Sequence, residues 1–546
     1  MLNQGSFSVS GNIVDVKNLC VFKGTVHITD GRISAIEPGP VAEEHYILPG
    51  LIDAHVHIES SMLLPTEFAR LAAVHGTVAT VSDPHEIANV LGSEGVKFMI
   101  NNSKKSPFKF YFGAPSCVPA TPFETAGASL DISETEALLA LPDIWYLSEM
   151  MNYPGVIYKD PEVMAKLSAA KKAGKPIDGH APGLFGDNAR LYAQAGITTD
   201  HECFTIEEAL DKIRWGMKVL IREGSAARNF DALLPLLSEH SSDIMFCSDD
   251  KHPDDLVKGH INLLVKRAIA AGYDPLQIIR ACTFNPVKHY KLDTGLLHPG
   301  DDADFIVADN LSDFNVLATY IRGRKVAENG YTLIQSVTEE TPNKFFARAI
   351  SEQDITIKSS PGTIKVQKAL EGQLITEVLH VKPLMTDGCV TSDIGRDILK
   401  MIVMNRYAPM LPAIGFIHGF GLKHGAIAST VAHDSHNIIA VGASDKDIVN
   451  AVSLLVKNKG GIAFSDGGKS CILPLPVAGL MSNLDGYEVA HKYEEIHKLA
   501  KSLGSQLAAP YMTLSFMALL VIPALKLSDK GLFDGRTFKF TSLLEN

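Results

Sequence analysis

Residues 48–62 read LPGLIDAHVHIESSM. A short apolar run leads into His55 and His57, which are one residue apart and precede an acidic, hydroxyl-rich turn. Side chains at positions i and i+2 of a strand point to the same face, so the two imidazoles project together. Imidazole is a ligand for zinc, iron, nickel and copper. This pair alone is equally compatible with a metal site and with two structural histidines whose hydrogen bonds are satisfied within the protein.

Four other polar residues of metal-binding type also follow apolar runs that end like strands. Taken singly, each favours a capped turn or a buried, hydrogen-bonded group. Barrel enzymes, however, assemble their sites where the carboxyl ends of the strands meet. Four histidines and two carboxylates together suffice for two neighbouring cations that share a bridging oxygen. The predicted metal ligands are His55, His57, Glu149, His180, His201 and Asp249.

The segment from residue 50 to 294 alternates strand and helix patterns. GTVATVSD (76–83) is typical of a buried strand, and LPTEFARLAAVHG (64–76) of a helix with Pro65 in its first turn. In SETEALLALP (133–142), the spacing of Ser133 and Glu136 predicts a capping box. Repeated strand–helix units over this length predict an α/β fold with a (β/α)8 TIM-like barrel. A doubly wound open sheet is the alternative, but no Gly-x-Gly-x-x-Gly turn supports it.

Two strand-rich segments, 1–49 and 295–345, flank the predicted barrel. Both alternate apolar and polar residues between glycine and proline turns. We expect them to pair into one small β-sandwich domain, into which the barrel domain of residues 50–294 is inserted. Residues 346–546 begin fresh strand and helix patterns and predict a C-terminal α/β domain.

Composition excludes several classes of protein. The chain has 546 residues, of which 46% are apolar and 21% charged, as in globular proteins. A net charge of −12 argues against nucleic-acid binding through bulk charge. The most membrane-like stretch, 511–527, is short and contains Pro523 and Lys526, so it predicts a buried helix or strand and no membrane partner. Seven cysteines without a Cys-x-x-Cys pair, and no signal-like start, predict a reducing, cytoplasmic location.

Several longer stretches carry a family resemblance. HVHIESSM (55–62), SDPHEIANVLG (82–92), SEMMNYPGV (148–156), SDDKHPDDL (248–256) and AHDSHNI (432–438) resemble bacterial-type adenine deaminase of the amidohydrolase superfamily. The resemblance extends over essentially the whole chain. ETAGA (124–128) looks like a variant of the family's Glu-Thr-Ser-Gly-Ala, and no departure removes a predicted ligand.

The resemblance implies hydrolysis of adenine to hypoxanthine and ammonia, as in purine salvage. His55, His57 and Asp249 would hold one divalent ion, and His180 and His201 the other. Glu149 would bridge the ions beside a hydroxide that attacks C6, and Asp249 would move the proton. The resemblance implies manganese or iron, while the ligand types also allow zinc. It further implies a small purine substrate and a homodimer or larger assembly.

Six more residues are candidates outside the metal ligands. His85 and Glu86 follow a predicted strand and are expected to contact the purine, although a loop salt bridge or helix cap explains them equally well. Glu59 is a third substrate candidate, with support of the histidines as its alternative role. Residues 432–438 have three possible roles: another metal site, a loop over the pocket, or an internal hydrogen-bond network. Its candidate residues are His433, Asp434 and His436.

Three alternatives to adenine deamination are compatible with parts of the sequence. A cyclic-amide hydrolase could share the fold, but many of those enzymes carry a carboxylated lysine where this chain has Glu149. A different 6-aminopurine is also compatible with the spacing of the ligands. A non-enzymatic scaffold is the third alternative. Amidohydrolase-like chains with that role can lose their metal ligands, whereas all six predicted ligands are present in this sequence. The sequence therefore favours a deaminase.

Overall fold

The computed structural model describes residues 5–358, 362–373 and 375–545. The chain begins with a meander of antiparallel strands followed by a strand that runs parallel to the first. Ile13, Val26, Ile28 and Ile33 are buried and pack together in one apolar cluster of this sheet. The strands are β1 (Phe7–Asp15), β2 (Cys20–Thr29), β3 (Arg32–Pro38) and β4 (Tyr46–Pro49).

Eight parallel strands follow and form a closed ring. Five of them pair in chain order, as do the remaining three. Thr198 N donates to Ile177 O at 2.8 Å and Asp249 N donates to His55 O at 3.0 Å, which links the two groups on both sides. The strands are β5 (Leu51–Val56), β6 (Thr77–Ser82), β7 (Lys109–Ala114), β8 (Ile144–Met150), β9 (Ile177–Gly179), β10 (Thr199–Asp200), β11 (Lys218–Arg222) and β12 (Ile244–Cys247).

Helices connect these strands. Asp160 and Asp274 cap two of them, each directly before a proline. The capping box predicted at Ser133 is wrong: the helix begins two residues earlier, where Asp131 and Glu134 satisfy each other's backbone N–H groups. The helices are α1 (Pro65–Ala73), α2 (His85–Leu91), α3 (Ser93–Ser103), α4 (Ile132–Leu139), α5 (Tyr153–Ile157), α6 (Pro161–Lys172), α7 (Gly186–Gln194), α8 (Ile206–Arg214), α9 (Phe230–Leu233), α10 (Leu237–His240), α11 (Pro253–Lys258), α12 (Ile261–Ala270), α13 (Pro275–Ala281) and α14 (Phe284–Tyr290).

After the barrel, the chain returns to its first sheet. The next strand pairs antiparallel with β4, so that Val307 faces Ile47. The two flanking segments thus form one eight-stranded sheet, in the order β16-β15-β14-β13-β4-β1-β2-β3, and the barrel is inserted between β4 and β13. The returning strands are β13 (Phe305–Ala308), β14 (Val316–Ile321), β15 (Arg324–Glu328) and β16 (Tyr331–Thr332).

The C-terminal region is built on a nine-stranded sheet, with β19-β18-β23-β22-β25-β24-β26-β27 in order and β31 beside β18. A long helix, α15, buries Ile448, Val452 and Leu455 against it. The strands are β17 (Ile357–Lys358), β18 (Thr363–Ala369), β19 (Thr376–Val381), β20 (Leu384–Thr386), β21 (Cys389–Thr391), β22 (Ile398–Met404), β23 (Ala413–His418), β24 (Ala426–Ser429), β25 (Ile438–Gly442), β26 (Gly461–Asp466), β27 (Lys469–Pro474), β28 (Leu525–Ser528), β29 (Gly531–Asp534), β30 (Lys539–Phe540) and β31 (Leu544–Glu545). The helices are α15 (Asp445–Asn458), α16 (Gly486–Ser502) and α17 (Pro510–Phe516).

The C-terminal region packs on the barrel over a shared apolar core. Helix α16 lies against α11, and Tyr493 Oη is 2.6 Å from His252 Nδ1 across that contact. The membrane-like stretch 511–527 is divided between buried α17, a loop and β28. Among the described residues, no helix is long and apolar enough to span a bilayer. The predicted fold class, an α/β chain with a parallel barrel and a C-terminal α/β region, is confirmed.

Candidate active site

Glu149, near the end of β8, lies at the centre of a cluster of imidazoles at the rim of the barrel. Its Oε2 is 2.9 Å from His180 Nδ1, 3.1 Å from His201 Nε2 and 4.0 Å from His55 Nε2. The histidines come from the ends of β9, β10 and β5, which the parallel barrel brings together. One carboxylate oxygen is therefore shared by three imidazoles from three separate strands.

The other side of the cluster contains the opening histidine pair. His57 Nε2 is 3.5 Å from Glu149 Oε1 and 3.3 Å from Asp249 Oδ1, and His55 Nε2 is 3.6 Å from the same Asp249 oxygen. His57 Nδ1 lies 3.2 Å from the carbonyl of Asp83. Because a carbonyl only accepts, Nδ1 carries a proton, and His57 Nε2 is the ring nitrogen that faces the cluster. This donor set suits divalent cations that bind nitrogen and oxygen ligands.

The electrostatics of the cluster keep its carboxylates ionised. Burial opposes the charge on Glu149, but His180 and His201 outweigh it, and the pKa of Glu149 lies well below its usual value. Burial likewise opposes the charge on Asp249, whereas the Arg222 guanidinium holds the pKa of that carboxyl well below its usual value. Arg222 Nη1 donates to Asp249 Oδ2 at 2.5 Å, so only Oδ1 faces the histidines. The chain therefore supplies two buried negative charges for cations.

The turn after the histidine pair is a buried 3₁₀ turn, Ile58–Ser61. Glu59 Oε1 accepts a hydrogen bond from Ile87 N at 3.1 Å, and Ser60 Oγ donates to Asp250 Oδ1 at 2.5 Å. Burial, with Glu86 nearby, raises the pKa of Glu59 to about 7. Glu59 thus contacts the start of α2 and does not line the cavity around Glu149.

His85, at the start of α2, connects the cluster to the C-terminal region. Its Nδ1 is 3.5 Å from Glu149 Oε1, and its Nε2 is 3.6 Å from Asp434 Oδ1. Both histidine and aspartate are buried, and Asp434 Oδ2 has no hydrogen-bond partner among the described residues. The sequence grouped His85 with the substrate candidates, but its position also permits a contact with a cation beside Glu149.

Glu86 lies between two histidines of the C-terminal region. Its Oε1 is 2.5 Å from His433 Nδ1, and its Oε2 contacts His436 Nε2. Burial opposes the charge on Glu86, but His433 and then His436 outweigh it, so its pKa lies well below the usual value. The segment 432–438 therefore lies over the barrel rim and against Glu86, 347 positions away along the chain from His433. Side chains from two regions of the chain line one cavity.

Comparison with known proteins identifies the family. An amidohydrolase family model matches residues 46–326, and an adenine deaminase C-terminal domain model matches residues 373–539. The chain is 53% identical over 546 residues to an adenine deaminase of Methanosarcina mazei, with 98% of each chain covered. It is 54% identical to one of a Sulfurovum species, covering 97% of this chain and 98% of that one. The chain belongs to the adenine deaminase family of amidohydrolases. The family resemblance drawn from the sequence is thereby confirmed.

Solved structures align more distantly. A D-hydantoinase aligns with a TM-score of 0.45 and 14% identity over 60% of this chain and 96% of its own. A β-aspartyl dipeptidase of Fervidobacterium islandicum aligns with a TM-score of 0.45 and 14% identity, covering 61% of this chain and all of that one.

The C-terminal region also supplies an apolar wall to the cavity. The ring of Phe516 stacks on that of His433, with centroids 4.7 Å apart and planes 12° from parallel. Leu519, Val521 and Ile522 also line the cavity. Apolar walls with a few convergent polar groups are typical of small-molecule sites. The lining therefore combines apolar and charged groups, as a partly polar small molecule requires.

Three residues of this site are not among those predicted from the sequence. Asp83 belongs to one group of cation-binding type with His57, His85 and Glu149, and Glu202 to another with His180 and His201. Arg222 donates to both Glu202 and Asp249. The sequence did contain a signal for them, because each of the three residues follows or ends an apolar run near a predicted strand end. The missed residues are Asp83, Glu202 and Arg222.

Proposed function

We propose that this protein hydrolyses adenine to hypoxanthine and ammonia. The observation that carries the proposal is the convergence of histidines from several barrel strands on Glu149, in a cavity that Glu86 and Asp434 also line. Curated relatives of about half-identical sequence bear the name adenine deaminase. A buried glutamate at the centre of the cluster also speaks against the carboxylated lysine of many cyclic-amide hydrolases.

The residues of the cluster fit two divalent cations. Bound there, such cations lower the pKa of water toward neutrality and so supply a nucleophile. The orientation of His57 Nε2 and the ionised state of Glu149 and Asp249 support this use of the cluster. Manganese or iron, with zinc allowed, stays a prediction. One ion would be held by His55, His57 and Asp249, the other by His180 and His201, with Glu149 between them.

Asp249 is the proposed proton carrier. In the overall reaction the oxygen of water bonds to C6, the bond from C6 to the amino nitrogen breaks, and ammonia leaves. Of the two protons of water, one goes to the departing amine and the other to the ring nitrogen N1. Asp249 Oδ1 faces the cluster, whereas the second oxygen accepts a hydrogen bond from Arg222. This geometry supports Asp249 as the group that takes a proton from the attacking water and passes it to the ring nitrogen or to the departing amine.

Glu86, Asp434 and His85 are the proposed purine contacts. An ionised carboxylate accepts a ring N–H, and a histidine N–H donates to an unprotonated ring nitrogen. His433 and His436 hold Glu86 in place, and Asp434 Oδ2 lacks a partner within the described chain. The apolar wall around Phe516 and Leu519 would cover the ring face and exclude water. Glu59, in contrast, supports α2 from outside the cavity.

Activity on adenine tests the proposal. Protein loaded with manganese or iron should release ammonia from adenine, followed by the ultraviolet change to hypoxanthine, and His55→Ala should lose this activity. Hydantoin and dihydroorotate serve as competing substrates. Turnover of either cyclic amide without turnover of adenine would contradict the proposal. Metal analysis should give roughly two ions per chain, whereas a scaffold needs none.

Several broader statements stay predictions. They are the domain boundaries (1–49 with 295–345, 50–294 and 346–546), a homodimer or larger assembly, a cytoplasmic location and a place in purine salvage. Light scattering tests the assembly, and limited proteolysis tests the boundaries.

A further inference from the structure

A buried lysine joins the two loops that carry His180 and His201. Lys212, on α8, is fully buried, and its Nζ donates to Ala181 O at 2.7 Å and to Asp200 Oδ2 at 2.6 Å. Ala181 directly follows His180, and Asp200 directly precedes His201. A single ammonium therefore contacts the immediate neighbour of each histidine.

A buried glutamate extends this connection. Glu208, one helical turn before Lys212, accepts the third ammonium hydrogen bond at 2.9 Å. The same carboxylate accepts Gly183 N at 2.8 Å and Phe204 N at 3.1 Å. Gly183 lies in the loop after His180, and Phe204 in the loop after His201. The pair thus binds both loops, and neither side chain lines the cavity around Glu149.

Packing alone does not account for this arrangement. A buried ammonium carries a large desolvation cost, and an apolar side chain of similar size would often be as stable. Here all three donors of Lys212 are used, and two of the acceptors adjoin the predicted ligands. Partners behind metal-binding histidines fix their orientation, and their loss typically lowers metal affinity 10- to 100-fold.

We propose that Lys212, supported by Glu208, is a positioning residue that sets the spacing of His180 and His201 for one of the two cations. The proposal rests on the metal centre proposed above. The ammonium does not touch the cation or the purine. It acts by holding the backbone beside each histidine, so that both imidazoles face Glu149 at the observed distances of 2.9 and 3.1 Å.

Titration of the metal-free protein with Mn²⁺ tests this role, with free Mn²⁺ counted by electron paramagnetic resonance. Lys212→Met should weaken one of two binding events 10- to 100-fold and leave the other near its original affinity. Two ions bound with unchanged affinity would overturn the proposal. Because the readout needs no adenine, failure of the deaminase proposal would appear separately, as two bound ions without turnover.

The chain offers a matched control in Lys109, at the opposite end of the barrel. This lysine is also buried, and it donates to Asp293 O and Asp302 Oδ2 and pairs with Asp304, all at 2.8 Å. Lys109→Met should lose comparable stability but keep both ions at wild-type affinity. Equal weakening in Lys109→Met would assign the effect to general destabilisation and overturn the proposal.

A milder variant covers the case in which Lys212→Met does not fold. Glu208→Gln keeps the size of the side chain but weakens its bonds to Lys212 and to the backbone of Gly183 and Phe204. We expect the same binding event to weaken at least severalfold, with circular dichroism unchanged. Wild-type affinity for both ions in Glu208→Gln would overturn the proposal.

Discussion

An Asp249→Asn substitution removes one negative charge from the cluster and nearly preserves its shape. Asp249 Oδ1 lies 3.3 Å from His57 Nε2, and Oδ2 accepts from Arg222 Nη1 at 2.5 Å. An asparagine has one oxygen for these two positions. If that oxygen faces Arg222, an amide NH₂ faces the cluster. If it faces the cluster, the NH₂ meets the guanidinium N–H. Neither orientation offers a group that can take a proton.

The expected loss follows from this geometry. A positioned general acid–base group contributes about 10²- to 10⁴-fold to the rate of a proton transfer. At about 1.4 kcal/mol per factor of ten, the barrier should rise by about 3 to 5 kcal/mol. Binding of adenine involves other residues, so KM should change little. The loss should therefore appear in kcat.

The assay follows adenine conversion by ultraviolet absorbance, together with metal analysis of the same preparation. Asp304→Asn is the matched control, because Asp304 is also buried and its Oδ2 lies 2.8 Å from Lys109 Nζ at the far end of the barrel. We expect the control to retain turnover and both ions. Near-wild-type kcat in Asp249→Asn with full metal content would refute the role of Asp249 as proton carrier.

Three further changes probe separate parts of the molecule. Glu86→Gln removes the charge held by His433 and should lower kcat/KM about 10- to 100-fold, since hydrogen bonds to charged groups contribute about 1.5 to 3 kcal/mol; wild-type kinetics would contradict the purine contact. Leu519→Ala thins the apolar wall and should raise KM for adenine about tenfold at constant metal content; an unchanged KM would argue against that wall. Burial, with His260 nearby, lowers the pKa of His75 to about 4. The unfolded state therefore binds a proton at His75 more tightly than the folded state does. The free energy of unfolding has its full value above about pH 6.5 and decreases, by at most about 3 kcal/mol, as the pH falls toward 4. In urea unfolding, the free energy of unfolding of His75→Gln should depend less on acid pH than that of wild type. The same pH dependence in both proteins would contradict this role of His75.

Much of the barrel rim could be predicted from local sequence. Parallel barrel strands are short apolar runs, and a polar residue that ends such a run reaches the rim whatever the surrounding loops do. His55, His57, Glu149 and His201 follow this rule and lie together in the structure. Their periodicity, and the turns between the runs, are local properties that one sequence displays.

The contacts of charged groups with distant partners could not be predicted in this way. Arg222 ends a strand like the ligands do, but its pairing with Glu202 and Asp249 depends on how neighbouring strands are staggered. Lys212 looks like an exposed residue of an amphipathic helix until α8 packs on the loops beside His180. Side-chain burial of this kind is a property of packing and has no local signature.

The sequence by itself determined the fold class, the set of strand-end side chains predicted to be ligands and, through HIESSM, DPHEIANV and AHDSHN, the family. Only the tertiary structure decided what surrounds them. It places His433 and His436 against Glu86, and it places Asp434 3.6 Å from His85. The segments that carry these residues lie more than 300 positions apart in the chain. That approach depends on the docking of the C-terminal sheet on the barrel. Such docking results from many weak apolar contacts distributed over both regions, so no single stretch of sequence encodes it.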